Sequence, residues 1–337
     1  MKKFKVAIIG CGRISVMHLV SITMQKNVEL VACCDIDKSK ADAVSKKYNV
    51  KAYYDYEEML NSEKLDAVHV LLPHYLHTKV AIYAMQKGVN VLTEKPMDIN
   101  YESAVNAVNV SKQTGLLYGV IFQCRYNNSV KLVKKAVSSG KLGKILSARS
   151  ILSWNRGDEY YSGSDWKGTW DKEGGGVLID QAIHTLDLVN YIIDSEVESV
   201  NCSIKNYTHK IIEVEDTAEG YITYKNGARY SYYFTNNYAT DEPIEIRLYC
   251  ENGNVVFGYD DAYIYYNDGT IEEAHQDDDV VEYEGGKNYW GFQHERQISQ
   301  FYRALNNEEP LEISGEVALK THKLICDIYD ISRKSFK

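Results

Sequence analysis

The sequence predicts an α/β protein in which a doubly wound parallel sheet is followed by an α/β domain with an open, mostly antiparallel sheet. Three observations support this fold class. From residue 3 to about 125, short β-rich runs alternate with longer amphipathic segments, which is typical of βαβ units. A glycine-containing turn directly follows the first of these runs. In the second half of the chain, alternating segments are joined by Asn-Gly and Asp-Gly pairs, which favour antiparallel hairpins.

The chain has 337 residues, more than the roughly 250 to 300 at which single cores usually stop growing, so two domains are expected. We place the first domain at residues 1–124. Its strands are predicted in the runs "FKVAIIG", "VELVACC", "KAYY", "DAVHVLL", "VNVL" and "LLYGVIF". Its helices are predicted over Arg13–Gln25, Lys38–Tyr48, Asp55–Ser62, Tyr75–Lys87 and Tyr101–Thr114.

The second domain is predicted over residues 125–337. A bridging helix near Ser129–Ser138 precedes the alternating strands, whose turns are expected in "YKNGAR", "CENGNV" and "YNDGT". One helix, about Gly176–Ile193, interrupts the strands. Two final helices, near Gly291–Asn306 and Gly315–Lys334, are expected to return to the domain junction.

Composition excludes several functional classes. The net charge of −9, without a clustered Lys/Arg stripe, argues against a nucleic-acid partner. No apolar stretch approaches the roughly 18 residues that a membrane span needs, and the run Val6–Ile9 is too short for a secretory signal. Seven cysteines, an odd number without CxxC or Cys/His spacing, indicate reduced thiols. We therefore expect a cytoplasmic protein without membrane partners.

The turn "VAIIGCGRIS" has the form of a dinucleotide fingerprint. Gly10 and Gly12 lie where the first strand turns into a helix, so that backbone can approach a pyrophosphate and the helix N-terminus can face its charge. Arg13 and Ile14 continue this turn, and Ser15 holds the third small position. The context favours a Rossmann domain that binds a dinucleotide over an ordinary strand-to-helix turn.

The second strand ends at Asp35, and this residue bears on the choice of cofactor. A carboxylate there would accept hydrogen bonds from an adenosine ribose and repel a 2′-phosphate. NAD is therefore favoured, whereas Lys38 and Lys40 nearby leave NADP open.

The ends of three further strands are expected to border the nicotinamide half of the cofactor, because ligands of doubly wound sheets bind outside the carboxyl ends of the strands. The predicted contacts are Leu72, Pro73 and His77 after the fourth strand, Glu94 and Lys95 after the fifth, and Gln123 after the sixth. For His77 a structural role is the alternative.

Lys95 is the first candidate catalytic residue. Pro96 restricts it to an extended backbone, so the ammonium group can be aimed from a stiff support. A partly desolvated lysine can hydrogen-bond or exchange a proton with a substrate hydroxyl. A surface salt bridge with Glu94 is the alternative.

The segment "EGGGVLIDQAIHTLDLV" supplies the other candidates. On one continuous helix, Asp180, His184, Asp187 and Tyr191 would share a face. A carboxylate beside an imidazole can fix its tautomer and raise its basicity, as a general base requires. An ordinary surface pair is the alternative, and no metal site is predicted because further ligands are not evident.

In this order and spacing, the fingerprint, "EKP" and "GGGVLIDQAIH" resemble the Gfo/Idh/MocA oxidoreductases, a family of sugar and inositol dehydrogenases. The resemblance covers essentially the whole chain. It implies a Rossmann domain, an open sheet that often makes oligomer contacts, and hydride exchange at one sugar carbon. It also implies catalytic roles for Lys95, Asp180 and His184. Ala182 stands where the family pattern usually has glycine.

The segments "QCRYN" and "SWNRGDEYYSGSDWKGTWDKEGGG" resemble the branch of the family that includes nucleotide-sugar 3-dehydrogenases. The resemblance implies that the substrate contacts Lys95, Asp180 and His184 and, in addition, Arg125, Asn155, Arg156, Tyr161 and Trp166. Such side chains offer bidentate and stacking contacts to hydroxyls, a carboxylate or a diphosphate. The branch often has Asn at the position of Asp180, so the substrate stays open, and core packing is the alternative for each aromatic.

The predicted function is an NAD(P)-dependent oxidoreductase that transfers hydride between nicotinamide and a hydroxyl or keto carbon of a sugar, inositol, sugar acid or nucleotide sugar. Two alternatives are an NAD-dependent glycosidase without net redox and a regulator that binds sugar and NAD without converting them. A homodimer or homotetramer is expected, because a long open sheet rich in tyrosine would be costly to leave uncovered.

Overall fold

The computed structural model describes residues 3–276, 281, 283, 293–334 and 336. The chain divides into two compact units. Unit 1 takes residues 1–123 and 280–320, and unit 2 takes residues 124–279 and 321–337. The first boundary lies next to the one predicted after residue 124. Residues 280–320, however, return to unit 1, whereas the sequence prediction continues the second domain without a break to residue 337.

The elements alternate as expected in the first third of the chain. The strands of the described residues are β1 (Phe4–Ile9), β2 (Val28–Cys34), β3 (Lys51–Tyr53), β4 (Ala67–Val70), β5 (Asn90–Thr93), β6 (Tyr118–Val120), β7 (Ile145–Ser153), β8 (Val197–Lys205), β9 (Thr217–Tyr224), β10 (Arg229–Thr235), β11 (Glu245–Cys250), β12 (Gly253–Phe257), β13 (Ala262–Tyr266) and β14 (Ile271–Ala274). The α-helices are α1 (Ser15–Met24), α2 (Lys38–Tyr48), α3 (Tyr56–Ser62), α4 (His77–Gln86), α5 (Tyr101–Thr114), α6 (Asn128–Ser138), α7 (Asp158–Ser162), α8 (Val177–Asp180), α9 (Ile183–Ile193), α10 (His294–Leu305) and α11 (Gly315–Ser332). Gly291, at which the predicted helix before α11 begins, lies outside the described residues.

Unit 1 contains a parallel sheet with the strand order β3-β2-β1-β4-β5-β6. Each of the five neighbouring pairs is parallel. All four residues of β4 are buried, as expected for a central strand covered by helices on both faces. The order reverses between β1 and β4, and this reversal marks the crevice in which doubly wound sheets bind their ligands. The predicted fold class is confirmed for this unit.

Helix α10 completes the core of unit 1 although it lies about 170 residues after β6 in the sequence. Ile298, Phe301 and Tyr302 are buried and belong to one apolar cluster with Leu19 of α1 and Leu92 of β5. Burying apolar side chains like these away from water is the main favourable contribution to the free energy of folding.

Polar contacts tie α10 to the sheet as well. Gln297 Oε1 accepts a hydrogen bond from the backbone N–H of Phe122 at 2.9 Å, and its Nε2 donates to the carbonyl of Val120 at 2.7 Å. The chain just before α11 adds to this, since the Val120 N–H donates to the Ile313 carbonyl at 3.2 Å. Because this segment fills the core and satisfies the backbone of β6, it belongs to unit 1.

Unit 2 contains an eight-stranded sheet with the order β14-β13-β12-β11-β7-β10-β9-β8. All neighbouring pairs are antiparallel except β7 and β10, which are parallel. The prediction of a mostly antiparallel sheet is confirmed. Burial alternates along the central strands, so one face is covered and the other is exposed.

The helix predicted over Gly176–Ile193 is interrupted, and the prediction of one continuous helix is wrong. α8 ends at Asp180, and α9 begins at Ile183. The N–H of Ala182 bonds to the carbonyl of Val177, five residues earlier, at 2.8 Å. The side chain of Gln181 donates to Asp180 at 2.8 Å. His184, Asp187 and Tyr191 therefore lie on one helix, α9, whereas Asp180 ends α8.

No helix among the described residues combines the length and the apolar character that crossing a membrane requires.

Candidate active site

The glycine turn between β1 and α1 has the geometry that a dinucleotide needs. Gly10 has φ +102°, and a Cβ there would lie 2.2 Å from the carbonyl oxygen of Leu71, so only glycine fits. A Cβ on Gly12 would meet no protein atom within 4 Å. Ser15 Oγ donates to the Gly12 carbonyl at 2.7 Å and closes the turn at the start of α1. The turn thus leaves room for a phosphate group in front of a ten-residue helix.

Asp35 directly follows β2, and its side chain is hydrogen-bonded to this turn. One carboxylate oxygen accepts from the Cys11 N–H at 2.7 Å, and the other accepts from the Asp37 N–H at 2.8 Å. A carboxylate has about four lone-pair sites, so acceptor capacity remains for a ribose hydroxyl. Ile36, beside it, is 91% exposed and offers an apolar surface to an adenine ring. The sequence prediction did not include Ile36, although an apolar residue directly after the strand-end acid was visible.

The remaining residues predicted to contact the cofactor also lie at this edge of unit 1. Arg13 and Ile14 lie in the first turn, Leu72 and Pro73 follow β4, and buried Gln123 begins a 3-10 turn after β6. Their direct contacts with a cofactor stay predictions.

His77 links two of these loops. It is buried, and its ring nitrogens lie 2.6 Å from the carbonyl oxygens of Leu72 and Pro96. Burial lowers the pKa of His77, although both carbonyls oppose this shift. The ring therefore holds the loops after β4 and β5 together, which is the structural role left open above, and its contact with a cofactor stays a prediction.

Lys95 follows a carboxylate that is firmly held. Glu94 is 6% exposed, and it accepts from His18 Nε2 at 3.0 Å, His294 Nε2 at 3.3 Å and the Lys95 N–H at 3.2 Å. Burial opposes ionisation of Glu94, but the hydrogen bonds from both histidines outweigh it and hold its pKa well below the usual range. The peptide bond between Lys95 and Pro96 is cis.

In unit 2, Asp180 lies in a polar cluster. Its Oδ2 accepts from the Tyr160 hydroxyl at 2.6 Å, Lys167 Nζ at 2.8 Å and Gln181 Nε2 at 2.8 Å. Lys167 also lies 4.4 Å from the centre of the Tyr160 ring and 4.7 Å from that of Trp166. Asp180 is therefore fixed in position by neutral and charged donors.

The charges in this cluster are mutually dependent. Burial would lower the pKa of Lys167, but Asp180, Tyr160 and Glu173 outweigh burial and raise it well above its usual value. Burial raises the pKa of Glu173 to about 8, with Asp180 adding to the effect and Lys167 opposing it. The charged form of Lys167 is thus favoured beside Asp180, whereas burial favours the protonated form of Glu173.

His184 and Arg125 lie deeper in unit 2. His184 is 3% exposed, in the first turn of α9. Arg125 makes a bidentate ion pair with Asp187, with Nε–Oδ2 and Nη2–Oδ1 distances of 2.7 and 2.6 Å. Thr321 Oγ1 donates to the same carboxylate at 2.7 Å. Arg125 thus has a structural partner that the sequence prediction did not identify.

Asn155 and Arg156 are both connected to Asp241. Its carboxylate accepts from the Asn155 N–H at 2.7 Å and from Arg156 Nη1 at 3.0 and 3.1 Å. The guanidinium group also lies over the ring of Trp154 at 5.1 Å. These contacts order the chain just after β7 and leave its substrate role as a prediction.

Tyr161 is 3% exposed, and its hydroxyl accepts from Asn236 Nδ2 at 2.7 Å. Asn236 also donates to Gln181 Oε1 at 3.1 Å, so the two residues are connected to the break between α8 and α9. Trp166 is half-buried. Sequence reasoning missed several members of this site, namely Tyr160, Lys167, Glu173, Gln181, Asn236 and Asp241. A lysine between aromatics in "DWKGTW" was the one local indication.

Comparisons with known families match both halves of the chain. Residues 4–122 match the model described as "Oxidoreductase family, NAD-binding Rossmann fold". Residues 130–256 match the "GFO/IDH/MocA C-terminal domain".

Individual relatives agree with these matches. Glucose-6-phosphate 3-dehydrogenase of Bacillus subtilis is 30% identical over 233 residues, which are 66% of this chain and 65% of that protein. Myo-inositol 2-dehydrogenase of Thermotoga maritima is 27% identical over 229 residues, which are 66% of this chain and 66% of that protein. These alignments therefore span about two thirds of the curated relatives.

A solved structure covers almost the whole chain. The WlbA dehydrogenase from Bordetella pertussis, crystallised with NADH and UDP-GlcNAcA, is 27% identical, with a TM-score of 0.86 over 99% of this chain and 98% of that one. Two family models that together cover most of the sequence, and this agreement of fold, lead to one conclusion. The chain belongs to the GFO/IDH/MocA family of NAD-binding oxidoreductases.

Proposed function

We propose that this protein is an NAD-dependent dehydrogenase that transfers hydride between nicotinamide and a hydroxyl or keto carbon of a carbohydrate-like substrate. The observation that carries the proposal is the turn at Gly10 and Gly12. The carbonyl of Leu71 leaves no room for a side chain at Gly10, and the space in front of Gly12, before α1, is open. Family membership and the dehydrogenases among the relatives support the same conclusion.

NAD would be held by the residues at the carboxyl edge of the parallel sheet. The first turn of α1 faces the pyrophosphate, Asp35 accepts from the ribose, and Ile36 lies against the adenine. When bound, the cofactor supplies the acceptor or donor of the hydride. NAD is preferred over NADP because a 2′-phosphate would be repelled by Asp35.

We assign roles in the reaction to three side chains. His184 is the proposed base that takes the proton of the reacting hydroxyl, and the Lys95 ammonium group is the proposed hydrogen-bond donor to a substrate oxygen on which charge develops. Asp180, whose Oδ2 accepts from three donors, orients the imidazole or a substrate hydroxyl. Its fixed position supports a role in orientation rather than in proton transfer.

The proposed substrate class is a sugar, inositol, sugar acid or nucleotide sugar. Among these we favour a nucleotide-sugar acid, because the WlbA relative that was crystallised with UDP-GlcNAcA matches nearly the whole chain. Arg125, Asn155, Arg156, Tyr161 and Trp166 are the proposed contacts on the substrate side. The substrate can be identified by testing a panel of these compounds while the absorbance of reduced nicotinamide is monitored.

The assignment is tested by substituting Lys95→Met and His184→Ala separately and together. Each single variant should bind NADH normally, as measured by fluorescence titration, and lose turnover by about a hundredfold or more. If both groups act in one step, the turnover of the double variant should be only slightly lower than that of the less active single variant, because the effects of residues that act as a unit are not additive.

Lys79→Met and His275→Leu serve as matched controls, since both side chains are exposed and lie outside the proposed site. Full turnover in the Lys95 or His184 variants would refute the assigned roles. Mass spectrometry of the products distinguishes the remaining alternatives, because a glycosidase would release a sugar without net oxidation and a regulator would release nothing.

We further propose that the protein acts as a homodimer or homotetramer in the cytoplasm. The exposed face of the eight-stranded sheet supports oligomerisation, since it presents Tyr221, Tyr233, Tyr249 and Tyr265 together with Ile151. Aromatic residues are enriched where protein surfaces associate. The odd number of cysteines supports a reducing compartment.

A further inference from the structure

Unit 1 contains a buried hydrogen-bonded group, which we call the Glu94 network, that the dehydrogenase mechanism does not use. It consists of Tyr302, His69, His18, Glu94 and His294, each at most 6% exposed. These residues come from β4, α1 and α10 and from the loop after β5. Three imidazoles at this depth are costly unless their nitrogens are paired.

The contacts form one continuous chain. The Tyr302 hydroxyl lies 2.8 Å from His69 Nε2, and His69 Nδ1 lies 2.8 Å from His18 Nδ1. His18 Nε2 lies 3.0 Å from Glu94 Oε1, which also lies 3.3 Å from His294 Nε2. Glu94 Oε2 accepts from the Lys95 N–H at 3.2 Å, so the chain ends at the backbone of the proposed catalytic lysine.

The chemistry of the groups fixes the direction of every hydrogen bond. Glu94 is ionised and can only accept, so His18 and His294 both carry their proton on Nε2. Burial lowers the pKa of His18 despite the opposing effect of Glu94, and a neutral His18 must accept at Nδ1. His69 therefore donates from Nδ1, and its Nε2 accepts from Tyr302.

The network cannot readily pass protons along its length. Reversing the hydrogen bonds would leave a tyrosinate at Tyr302, and burial raises the pKa of that hydroxyl well above its usual value. The pKa of His69 is lowered well below its usual value by burial and by the neighbouring His18, which disfavours storing a proton there. A static role therefore fits the network better than a relay.

We propose that the Glu94 network positions Lys95 for catalysis, with His18 and His294 as positioning residues that keep Glu94 ionised and correctly oriented. This inference rests on the proposed function. Glu94 acts through its bond to the Lys95 N–H, which fixes the peptide from which the ammonium side chain extends. Misplacing a reacting group by about 1 Å can cost about a hundredfold in rate.

His294 allows the sharpest test, because only its Nε2 takes part and its Nδ1 has no hydrogen-bond partner among the described residues. Glutamine can place an N–H near the position of Nε2, whereas leucine cannot donate. His294→Leu should therefore lower kcat about tenfold or more with KM changed by less than about twofold, and His294→Gln should recover most of kcat.

The pH profile separates this role from a merely structural one. Groups facing Glu94 are His18, His69, His294 and Lys95, with His77 and Asp98 beyond them. Losing one donor raises the pKa of Glu94, so His294→Leu should gain an acidic limb in its kcat profile that His294→Gln lacks. In the double variant Glu94→Gln/His294→Leu this limb should disappear while kcat stays low.

A second measurement does not depend on activity. Nitrogen-15 NMR of the intact protein, with histidine labelled, should show the Nε2–H tautomer for His18 and His294 and the Nδ1–H tautomer for His69. Other tautomers, or a stoichiometric metal bound by the two imidazoles and the carboxylate, would overturn the network. Unchanged kcat and pH profile in His294→Leu would overturn its positioning role. If the expected tautomers are found but no substrate is turned over, the proposed function fails instead.

Discussion

Glu215 shows how one buried residue can hold the loop from which α8 starts. Its carboxylate accepts from the Gly176 N–H at 2.9 Å, the Leu178 N–H at 3.1 Å and the Tyr329 hydroxyl at 2.8 Å. These donors include N–H groups that a helix leaves unpaired in its first turn. Burial raises the pKa of Glu215 to about 7, although all three hydrogen bonds oppose this shift.

The raised pKa predicts a pH dependence of stability. Between the ordinary pKa of a glutamate, about 4.5, and the folded value of about 7, the folded protein holds a proton that the unfolded chain releases. Unfolding free energy should therefore fall as pH rises through this window, by at most roughly 1.4 kcal/mol per pH unit from this group. Glu215→Gln mimics the protonated acid and should flatten the decline in urea unfolding experiments.

Glu198→Gln, an exposed residue of β8, is the matched control and should leave the slope unchanged. An equal slope in the protein and in Glu215→Gln would contradict the assignment. Glu173, whose pKa is about 8, should maintain a residual decline in both.

The polar partners of the candidate site were the least predictable features at this scale. Asp180 and His184 could be chosen from a short segment, because their types and spacing suggest acid–base chemistry. The contact between Asp180 and Lys167 depends on how a loop folds back, and the ion pair between Arg125 and Asp187 joins residues 62 positions apart. No local pattern encodes such pairs.

At the scale of elements, prediction succeeded where local preference and tertiary structure agree. α2 and α5 have the predicted bounds, since each begins after a capping residue, Asp37 or Asn100, whose side chain accepts from the first turn. The turn in "CENGNV" lies at Glu251 and Asn252, one residue before the predicted pair, and Gly253 begins β12. The break after Asp180 was missed because Asn236, on a distant strand end, holds Gln181.

The start of α8 yields a prediction about Gly176. A Cβ there would lie 1.9 Å from the Glu215 carbonyl oxygen, so backbone must shift to admit any side chain. Gly176→Ala should lower the free energy of unfolding by about 1–3 kcal/mol, as overpacking does, and should displace Asp180. Denaturant titration measures the loss.

Gly163→Ala is the control for that experiment, since the nearest atom to its Cβ would be 3.9 Å away. The control should change stability by less than about 0.5 kcal/mol, as surface substitutions usually do. Equal stability of the two variants would mean that the close approach of the Glu215 carbonyl does not exclude a side chain at Gly176.

For the whole molecule, the outer face of the eight-stranded sheet is the exposed surface that matters most for assembly, because it presents Ile151 and the four tyrosines named above. Between its tyrosines, Arg149 and Arg247 lie opposite each other across β7 and β11, and Glu245 accepts from both at 3.2 and 2.7 Å. A mixture of tyrosine and arginine is typical of surfaces that bind other proteins. This composition agrees with the proposed homo-oligomer.

Light scattering tests the oligomer directly. The protein should have two or four times the chain mass of 38.5 kDa, and Tyr249→Glu should shift it towards the monomer because a buried, unpaired charge is costly. Met24→Glu, an exposed position of α1 in unit 1, should leave the mass unchanged. A monomeric protein at micromolar concentration would rule out the assembly.

Unit 1 is discontinuous in the chain, and this has a consequence for biosynthesis. The ribosome releases β1 to β6 long before α10, whose Ile298, Phe301 and Tyr302 cover part of the same core. Until α10 has been synthesised, the nascent parallel sheet exposes the apolar surface that α10 later covers. Most of unit 2 is synthesised during this interval. Chaperones therefore have their longest opportunity to engage the nucleotide-binding half, and early termination after β6 would yield a fragment prone to aggregate.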